Sequence, residues 1–271
     1  MANEYGEGRG ILSAREKSAL VVPVMGRNAS ELARAARAVK VSAADIVEWR
    51  IDHLSDLSNA VVAGSAQILR REVDLPILAT FRTKQQGGLG APSDFMRILE
   101  VILESGVADL IDVESGAPFA KEAALQAFAK GVPVVLSHHD FDATPGVEAI
   151  VAQLEKMQEE LAAWSKEAAS LPEAEELAEV GAVKVAYMPT ETMDALKLAV
   201  AARHFKNSSA NLPFIALSMG DEGMMTRAFA GAIGSVATFA AIGARSAPGQ
   251  IDLGTLAAFA DETRSLDVRE R

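Results

Sequence analysis

The chain has 271 residues, of which 49% are hydrophobic and 23% are charged, a composition typical of a globular protein with a substantial core. Its net charge of -11 argues against a nucleic-acid surface and favours a small-molecule partner, since phosphate binding requires clustered lysines and arginines. Without cysteine the chain can form no disulfide and no zinc-thiolate site, which fits the cytoplasm.

The first residues have the composition of a polar lead-in. Residues 1–17 contain no apolar run of the signal-peptide kind, and no later segment is long and charge-free enough to span a membrane. We therefore predict a poorly ordered segment over residues 1–17 and one catalytic domain over residues 18–271. We also predict a cytoplasmic protein without membrane contact.

Short β-branched runs alternate with segments of helical period along the chain. Repeated strand-helix units imply a parallel sheet, and eight units in this length favour a single-domain (β/α)8 TIM barrel of the α/β class. A doubly wound open sheet is the alternative, but no G-x-G-x-x-G motif follows the first strand. The eight strands are predicted at residues 19–26, 45–52, 76–82, 109–115, 133–141, 182–189, 213–220 and 236–243.

One connection is longer than a single crossover helix requires. From His139 on the fifth predicted strand to Lys184 on the sixth there are 45 positions (184 minus 139). The interval is helical and acidic, and Pro172 interrupts it. We predict a lengthened helical segment around residues 155–180 on the barrel exterior, with an added turn or a second helix. An oligomer contact is a further possibility for it.

The second predicted strand, DIVEWRID, carries a charge at every second position near its end. Because side chains alternate across a strand, Glu48, Arg50 and Asp52 share one face. Both faces of a barrel strand are covered, so these charges are predicted to point into the barrel or its upper rim, where barrel active sites lie. A structural layer of ion pairs is the alternative.

Lys184 lies between Val183 and Val185 in the sixth predicted strand. Lysine is rarely buried without a partner or a function. In an apolar pocket the ammonium form is disfavoured, which lowers the pKa and frees the amine to attack a carbonyl. The alternative is a lysine whose ammonium group reaches solvent at the barrel mouth.

The fifth predicted strand ends in SHHDF. His138 and His139 face opposite ways in a regular strand, so joint binding of one metal ion is not expected. One of them can point into the site as a general acid and base. A histidine that only satisfies hydrogen bonds at the strand end is the alternative.

Two arginines and a carboxylate complete the candidates. Arg82 ends the third predicted strand, Asp112 lies in the fourth, and Arg227 opens a helix. Two arginines near one pocket suggest an anionic or polyhydroxylated substrate, although either could form an exterior ion pair. The loop GARSAPGQ after the eighth strand could close over a site or serve as a plain connection.

Together these stretches resemble the type I 3-dehydroquinate dehydratases of the shikimate pathway, from about residue 19 to residue 255. The motifs EWRID, ATFR with the following GG, SHHDF, KVAYMP and SAPGQ correspond in order to motifs of that family. The resemblance implies a (β/α) barrel, usually dimeric, that uses no metal or cofactor. It also implies the syn elimination of water from 3-dehydroquinate, the small-molecule substrate, to give 3-dehydroshikimate.

By this resemblance Lys184 forms an imine with the C3 ketone of the substrate. His139 removes the C2 proton and later helps the C1 hydroxyl to leave as water, while Arg227 binds the carboxylate. By the same resemblance, three residues hold the ring hydroxyls, namely Glu48, Arg50 and Arg82. Two more residues close over the substrate, namely Ser246 and Gln250.

The chain departs from the family pattern at Gln86, where a glutamate is common. A carboxylate that would orient His139 or tune its charge is therefore expected to be missing, and Asp112 is the candidate to supply one.

Two other functions remain open from the sequence. A class I aldolase also uses a lysine imine in a barrel, and a catalytically weak barrel could bind shikimate-like acids. Dehydration yields a conjugated product that absorbs in the ultraviolet, whereas aldol cleavage yields two fragments.

Overall fold

The computed structural model of the chain describes residues 10–12, 17–172, 179–243 and 249–259. Each of the eight predicted strands is present to within two residues at its ends. They are β1 Ala19–Val24, β2 Ile46–Arg50, β3 Ile77–Thr80, β4 Leu110–Glu114, β5 Val134–Asp140, β6 Gly181–Tyr187, β7 Phe214–Ser218 and β8 Ala237–Ala241. A two-residue strand, β9 Ile251–Asp252, pairs with β8.

Helices follow the strands and cover the outside of the sheet. They are α1 Ala29–Lys40, α2 Asn59–Glu72, α3 Phe95–Ser105, α4 Ala120–Ala129, α5 Val147–Ala169, α6 Thr192–Ser208, α7 Met224–Ala228 and α8 Ala230–Ile233. Residues 253–259 are also helical. Across the described ranges, every helix is too short or too polar to span a lipid bilayer.

The strands form a closed ring. Neighbours pair in parallel in the order β7-β6-β5-β4-β3-β2-β1-β8. Between β7 and β8, the backbone N–H of Val236 donates to the carbonyl of Phe214 at 2.9 Å. The prediction of a single-domain TIM barrel is therefore confirmed, and the open-sheet alternative is wrong.

Alternation along each strand separates an outer apolar layer from the barrel interior. In β2, Val47 and Trp49 pack in the outer cluster with the helices, while Glu48 and Arg50 point inward. A second apolar cluster fills the interior from the start of the strands up to the pocket, which several of its members line. Leu12, which is 2% exposed and belongs to the segment predicted as a lead-in, packs in this inner cluster.

The long connection after β5 contains α5, which at 23 residues is the longest helix in the described part of the chain. It packs against α4 and α6 on the barrel exterior. The Gln158 side chain ties it to the end of α6 by donating to the carbonyl of Ser209 at 2.8 Å and accepting from the amide of Asn211 at 3.0 Å. Residues 173–178 of the connection lie outside the described ranges.

Candidate active site

A pocket opens at the carboxyl-terminal ends of the barrel strands, where parallel barrels place their active sites. Its volume, with the open mouth included, is about 570 Å³. Eight of the residues predicted for the site line it: Glu48, Arg50, Arg82, Gln86, His139, Lys184, Arg227 and Gln250.

Lys184 is 4% exposed and reaches the pocket from the inner face of β6. Its Nζ lies 3.6 Å from Oδ2 of Asp112 and 4.5 Å from the ring centroid of Phe239. Burial lowers the pKa of the Lys184 ammonium group, and the positive charge of Arg82 acts in the same direction against the opposing effect of Asp112. A larger fraction of Lys184 is therefore the neutral, nucleophilic amine than would be the case for an exposed lysine.

His139 enters the same pocket from β5. Its Nδ1 lies 2.8 Å from Oε2 of Glu114, and its backbone N–H donates to Oε1 of the same carboxylate at 2.9 Å. Burial, together with Arg82, lowers the pKa of His139 to about 4, although Glu114 opposes the shift. The imidazole is therefore neutral near pH 7 and can accept a proton.

The neighbouring His138 points the other way. Its ring meets the ring of Tyr187 edge-on, with 5.7 Å between centroids, and it is not part of the pocket lining. The predicted opposition of His138 and His139 across β5 is confirmed.

Glu114 is a site residue that was not singled out from the sequence. It lies two positions after Asp112 on β4, so both carboxylates occupy the inner face, and this alternation is the signal that could have identified it. The expectation that Gln86 leaves His139 without a carboxylate partner is wrong, because Glu114 supplies one.

Asp112 does not supply that carboxylate and instead lies beside the lysine. Its Oδ2 accepts from Nη2 of Arg82 at 2.7 Å, and its Oδ1 accepts from the hydroxyl of Ser137 at 2.8 Å. With Lys184 3.6 Å away, Asp112 is placed to balance positive charge on Nζ.

Arg82 is held on several sides before any substrate binds. Its guanidinium donates to Asp112, to Glu114 and, at 3.0 Å, to the hydroxyl of Ser137. Charge-assisted contacts to two different carboxylates fix the plane of the guanidinium, so Arg82 is already oriented toward the pocket.

Glu48 and Arg50 face the pocket as predicted, whereas Asp52 does not. A 3₁₀ turn begins directly after Arg50 and ends the strand alternation. Asp52 instead accepts from Nε and Nη2 of Arg50, each at 2.9 Å. It also accepts from the backbone N–H groups of Leu89 and Arg82 at 3.1 and 3.4 Å, which anchors the loop after β3.

Gln86 ends a short 3₁₀ turn at the mouth of the pocket. Its Oε1 accepts from the backbone N–H of Thr83 at 3.0 Å, so the side chain caps its own turn. Gly87 follows with φ of 75°, and a Cβ there would lie 2.6 Å from the Phe141 ring. Because Gly87 has no side chain, the Phe141 ring can approach the turn. The same ring stacks beside His139, with 6.0 Å between the two ring centroids.

Arg227 lies on α7 and is fully buried. Its Nη1 donates to the backbone carbonyl of Ser218, and its own carbonyl accepts from the hydroxyl of Thr238 at 3.1 Å. Burial lowers the pKa of the Arg227 guanidinium to about 10. An anion bound against it would offset that desolvation.

The loop after β8 returns to the pocket at Gln250, which is buried in the lining. Just before it, Gly249 has φ of 73°, and a Cβ there would lie 1.8 Å from the carbonyl oxygen of Gly220. Only glycine permits this approach of the last loop to the loop after β7. Ser246, predicted to close over the substrate, lies outside the described residues.

Known proteins of one family resemble this chain over most of its length. The family model described as type I 3-dehydroquinase matches residues 20–262. The 3-dehydroquinate dehydratases of Escherichia coli and Shigella flexneri are each 36% identical to it over 243 residues, which cover 88% of this chain and 89% of theirs.

Solved structures of the same family share the fold. A type I 3-dehydroquinate dehydratase from Clostridium difficile, solved with covalently modified comenic acid, is 30% identical with a TM-score of 0.79 and covers 96% of this chain and 94% of its own. A 3-dehydroquinate dehydratase from Geobacillus kaustophilus is 27% identical with a TM-score of 0.79, at 94% and 93% coverage.

Fold and site together are those of a barrel enzyme that holds a buried amine and a neutral imidazole in one pocket. The chain belongs to the type I 3-dehydroquinase family. Dehydration of 3-dehydroquinate through a lysine Schiff base is characteristic of this type, and the chain is a hydro-lyase of the shikimate pathway. The predictions of family, fold and enzyme class are confirmed.

Proposed function

We propose that Lys184 and His139 together convert 3-dehydroquinate to 3-dehydroshikimate in the pocket at the carboxyl end of the barrel. The observation that supports this assignment is the presence in one pocket of a buried amine and a buried imidazole, each with a lowered pKa. An amine that forms an imine and a base that removes the adjacent proton are the two groups that the reaction requires.

In the first step Nζ of Lys184 attacks the C3 ketone, and the carbinolamine loses its oxygen as water to leave a protonated imine. Asp112, 3.6 Å from Nζ, balances the new positive charge, and the face of the Phe239 ring adds a favourable cation–π contact. The imine is an electron sink next to C2.

In the second step His139 accepts the C2 proton, and the electron pair of the C2–H bond moves into an enamine. The imidazolium then donates this proton to the C1 hydroxyl, which leaves as water as the enamine pair forms the C1–C2 double bond. Because one group takes and returns the proton, both changes occur on one face of the ring, which is a syn elimination. Hydrolysis of the conjugated imine releases 3-dehydroshikimate and restores the Lys184 amine.

The remaining pocket residues bind the substrate in this proposal. Arg227 pairs with its carboxylate, since a buried guanidinium gains most from an anion. Arg50 and Arg82 are already oriented by carboxylates of the protein, so little conformational entropy is lost when they hold hydroxyls. The proposed contacts to hydroxyls and the closing contacts are Glu48, Arg50, Arg82, Ser246 and Gln250.

The reaction itself gives the first test. Incubated with 3-dehydroquinate, the protein should produce a rise in ultraviolet absorbance from the conjugated enone carboxylate, and mass spectrometry should show a product lighter than the substrate by one water. Two smaller fragments would indicate an aldolase instead. Bound but unchanged substrate would indicate a catalytically weak barrel.

We also propose that the enzyme is a homodimer and works in the cytoplasm, since a chain without cysteine needs no oxidising compartment. The surface that supports a dimer lies on α6, where one side of the helix exposes Met193, Leu196 and Val200 at 55%, 39% and 58%. Their spacing places them in one apolar stripe, and a twofold interface would pair this stripe with its own copy.

The double substitution Leu196→Glu and Val200→Glu should convert a dimer to a monomer in sedimentation velocity, because charges would have to be buried at the interface. We expect the dissociation constant to rise about a hundredfold or more. Lys206→Glu, at the exposed end of the same helix, is the matched control and should leave the dimer intact. A monomeric wild type would refute the homodimer, and a dimeric double variant would refute this surface.

A further inference from the structure

Glu114 contacts His139 in two ways. It is the last residue of β4 and pairs with Ser137 of β5. Its carboxylate therefore lies beside His139, which is two positions after Ser137. Oε1 accepts from the backbone N–H of His139 at 2.9 Å, and Oε2 lies 2.8 Å from the ring Nδ1. One carboxylate therefore fixes both the main chain and the ring of the histidine.

Glu114 is itself firmly held and ionised. Its Oε2 also accepts from the guanidinium of Arg82 and lies 3.2 Å from the hydroxyl oxygen of Ser137, which donates its proton to Asp112 at 2.8 Å. Burial alone would raise the pKa of Glu114, but its contacts with His139 and Arg82 lower that pKa to about 2. An ionised carboxylate can only accept hydrogen bonds, so the nitrogen that faces it must carry the proton.

We propose that Glu114 is the positioning residue that holds His139 in the Nδ1–H tautomer and thereby leaves Nε2 free to take the C2 proton. A neutral imidazole has one donor and one acceptor nitrogen, so fixing the proton on Nδ1 makes Nε2 the base. This inference rests on the proposed role of His139 as the proton acceptor.

Gln86, on the loop after β3, supplies no carboxylate to His139 in this chain. The Oε1 of Gln86 accepts from the backbone of Thr83, and an amide carries no charge. The orienting carboxylate comes instead from β4. A group on a strand is held more rigidly than one on a loop, which suits a residue whose function is orientation.

Several charges act on the His139 ring in the free enzyme. Arg82 and Lys184 disfavour the imidazolium and Glu114 favours it. The other charged groups that line the pocket are Glu48, Arg50 and Arg227. Removal of the Glu114 charge should therefore lower the pKa of His139 further and move the acid limb of the kcat/KM profile to lower pH.

The test is Glu114→Gln, read by ¹⁵N spectra of labelled histidine and by kinetics. The wild type should show Nδ1–H on His139. In the variant an amide N–H can face Nδ1, so the Nε2–H tautomer should appear and kcat should fall about a hundredfold, with KM changed less than about threefold. Glu114→Asp keeps the charge and should retain the Nδ1–H tautomer and the acid limb.

The matched control is Asp109→Asn, which removes a carboxylate just before β4 that pairs with Arg70 rather than with the site. It should leave both the tautomer and the pH profile unchanged. An Nε2–H tautomer in the wild type would overturn the proposal, as would full kcat in a folded Glu114→Gln variant. A wild type that binds but does not dehydrate 3-dehydroquinate would refute the proposed function, whereas the tautomer spectrum would still decide the role of Glu114.

Discussion

Sodium borohydride added together with 3-dehydroquinate should inactivate the enzyme and attach ligand mass to the peptide that carries Lys184. Borohydride reduces the carbon–nitrogen double bond of an imine to a stable amine, so it traps whichever lysine has reacted. Lys184 is buried with a lowered pKa, and this makes it the amine best prepared to attack a ketone in the pocket. Peptide mass spectrometry reads the position of the label directly.

Replacement of this lysine should abolish both labelling and turnover. In Lys184→Met an apolar side chain of similar length fills the space, so the fold should persist in circular dichroism while kcat falls about 10⁴-fold or more. Lys84→Met is the matched control, because Lys84 is exposed on the turn at the mouth of the pocket. This variant should keep both the labelling of Lys184 and the turnover of the wild type. Label on any lysine other than Lys184 would disprove the assignment.

The barrel was predictable because each strand carries its own signal. A short β-branched run followed by a helical period recurs eight times, and the strand bounds of the structure lie close to the predicted ones. β9 was not predicted, since a two-residue strand is too short to show a period. Its pairing with β8 depends on the path of the loop after β8, and the local sequence does not indicate that path.

Alternation along β2 located two residues of the site, and it failed where the strand ended. Glu48 and Arg50 share the inner face of β2, but the chain turns directly after Arg50, so Asp52 binds Arg50 instead of facing the pocket. The helical turn is three residues long and has no distinct sequence signal within a run that alternates well.

Alternation in β4 places Glu114 on the inner face, but it does not show that Glu114 is the partner of His139. Glu114 reaches the histidine because β4 and β5 pair with Glu114 opposite Ser137, and the register between two strands is a tertiary property. For the same reason Gln86 was misleading. A missing carboxylate on one loop says nothing about a carboxylate that a neighbouring strand can supply.

His139→Ala should reduce kcat about a hundredfold or more, since loss of a positioned general base commonly has an effect of that size. The amine of Lys184 remains, so borohydride should still trap an adduct. That adduct should now be heavier than the one from a dehydrated ligand by the mass of one water, because the imine forms but the elimination does not follow. In the wild type, the pKa of His139 near 4 should keep the acid limb of kcat/KM well below pH 6.5, the ordinary value for histidine.

His138→Asn is the matched control for this prediction. His138 is the adjacent residue on the same strand, but its ring packs against Tyr187 outside the pocket. Its replacement should change kcat by less than about threefold, and the adduct trapped by borohydride should include dehydrated ligand as in the wild type. A larger loss in His138→Asn than in His139→Ala would mean that the opposite face of β5 carries the base. An acid limb near pH 6.5 would mean that the group which titrates is not the buried imidazole, because its burial and Arg82 both disfavour the imidazolium.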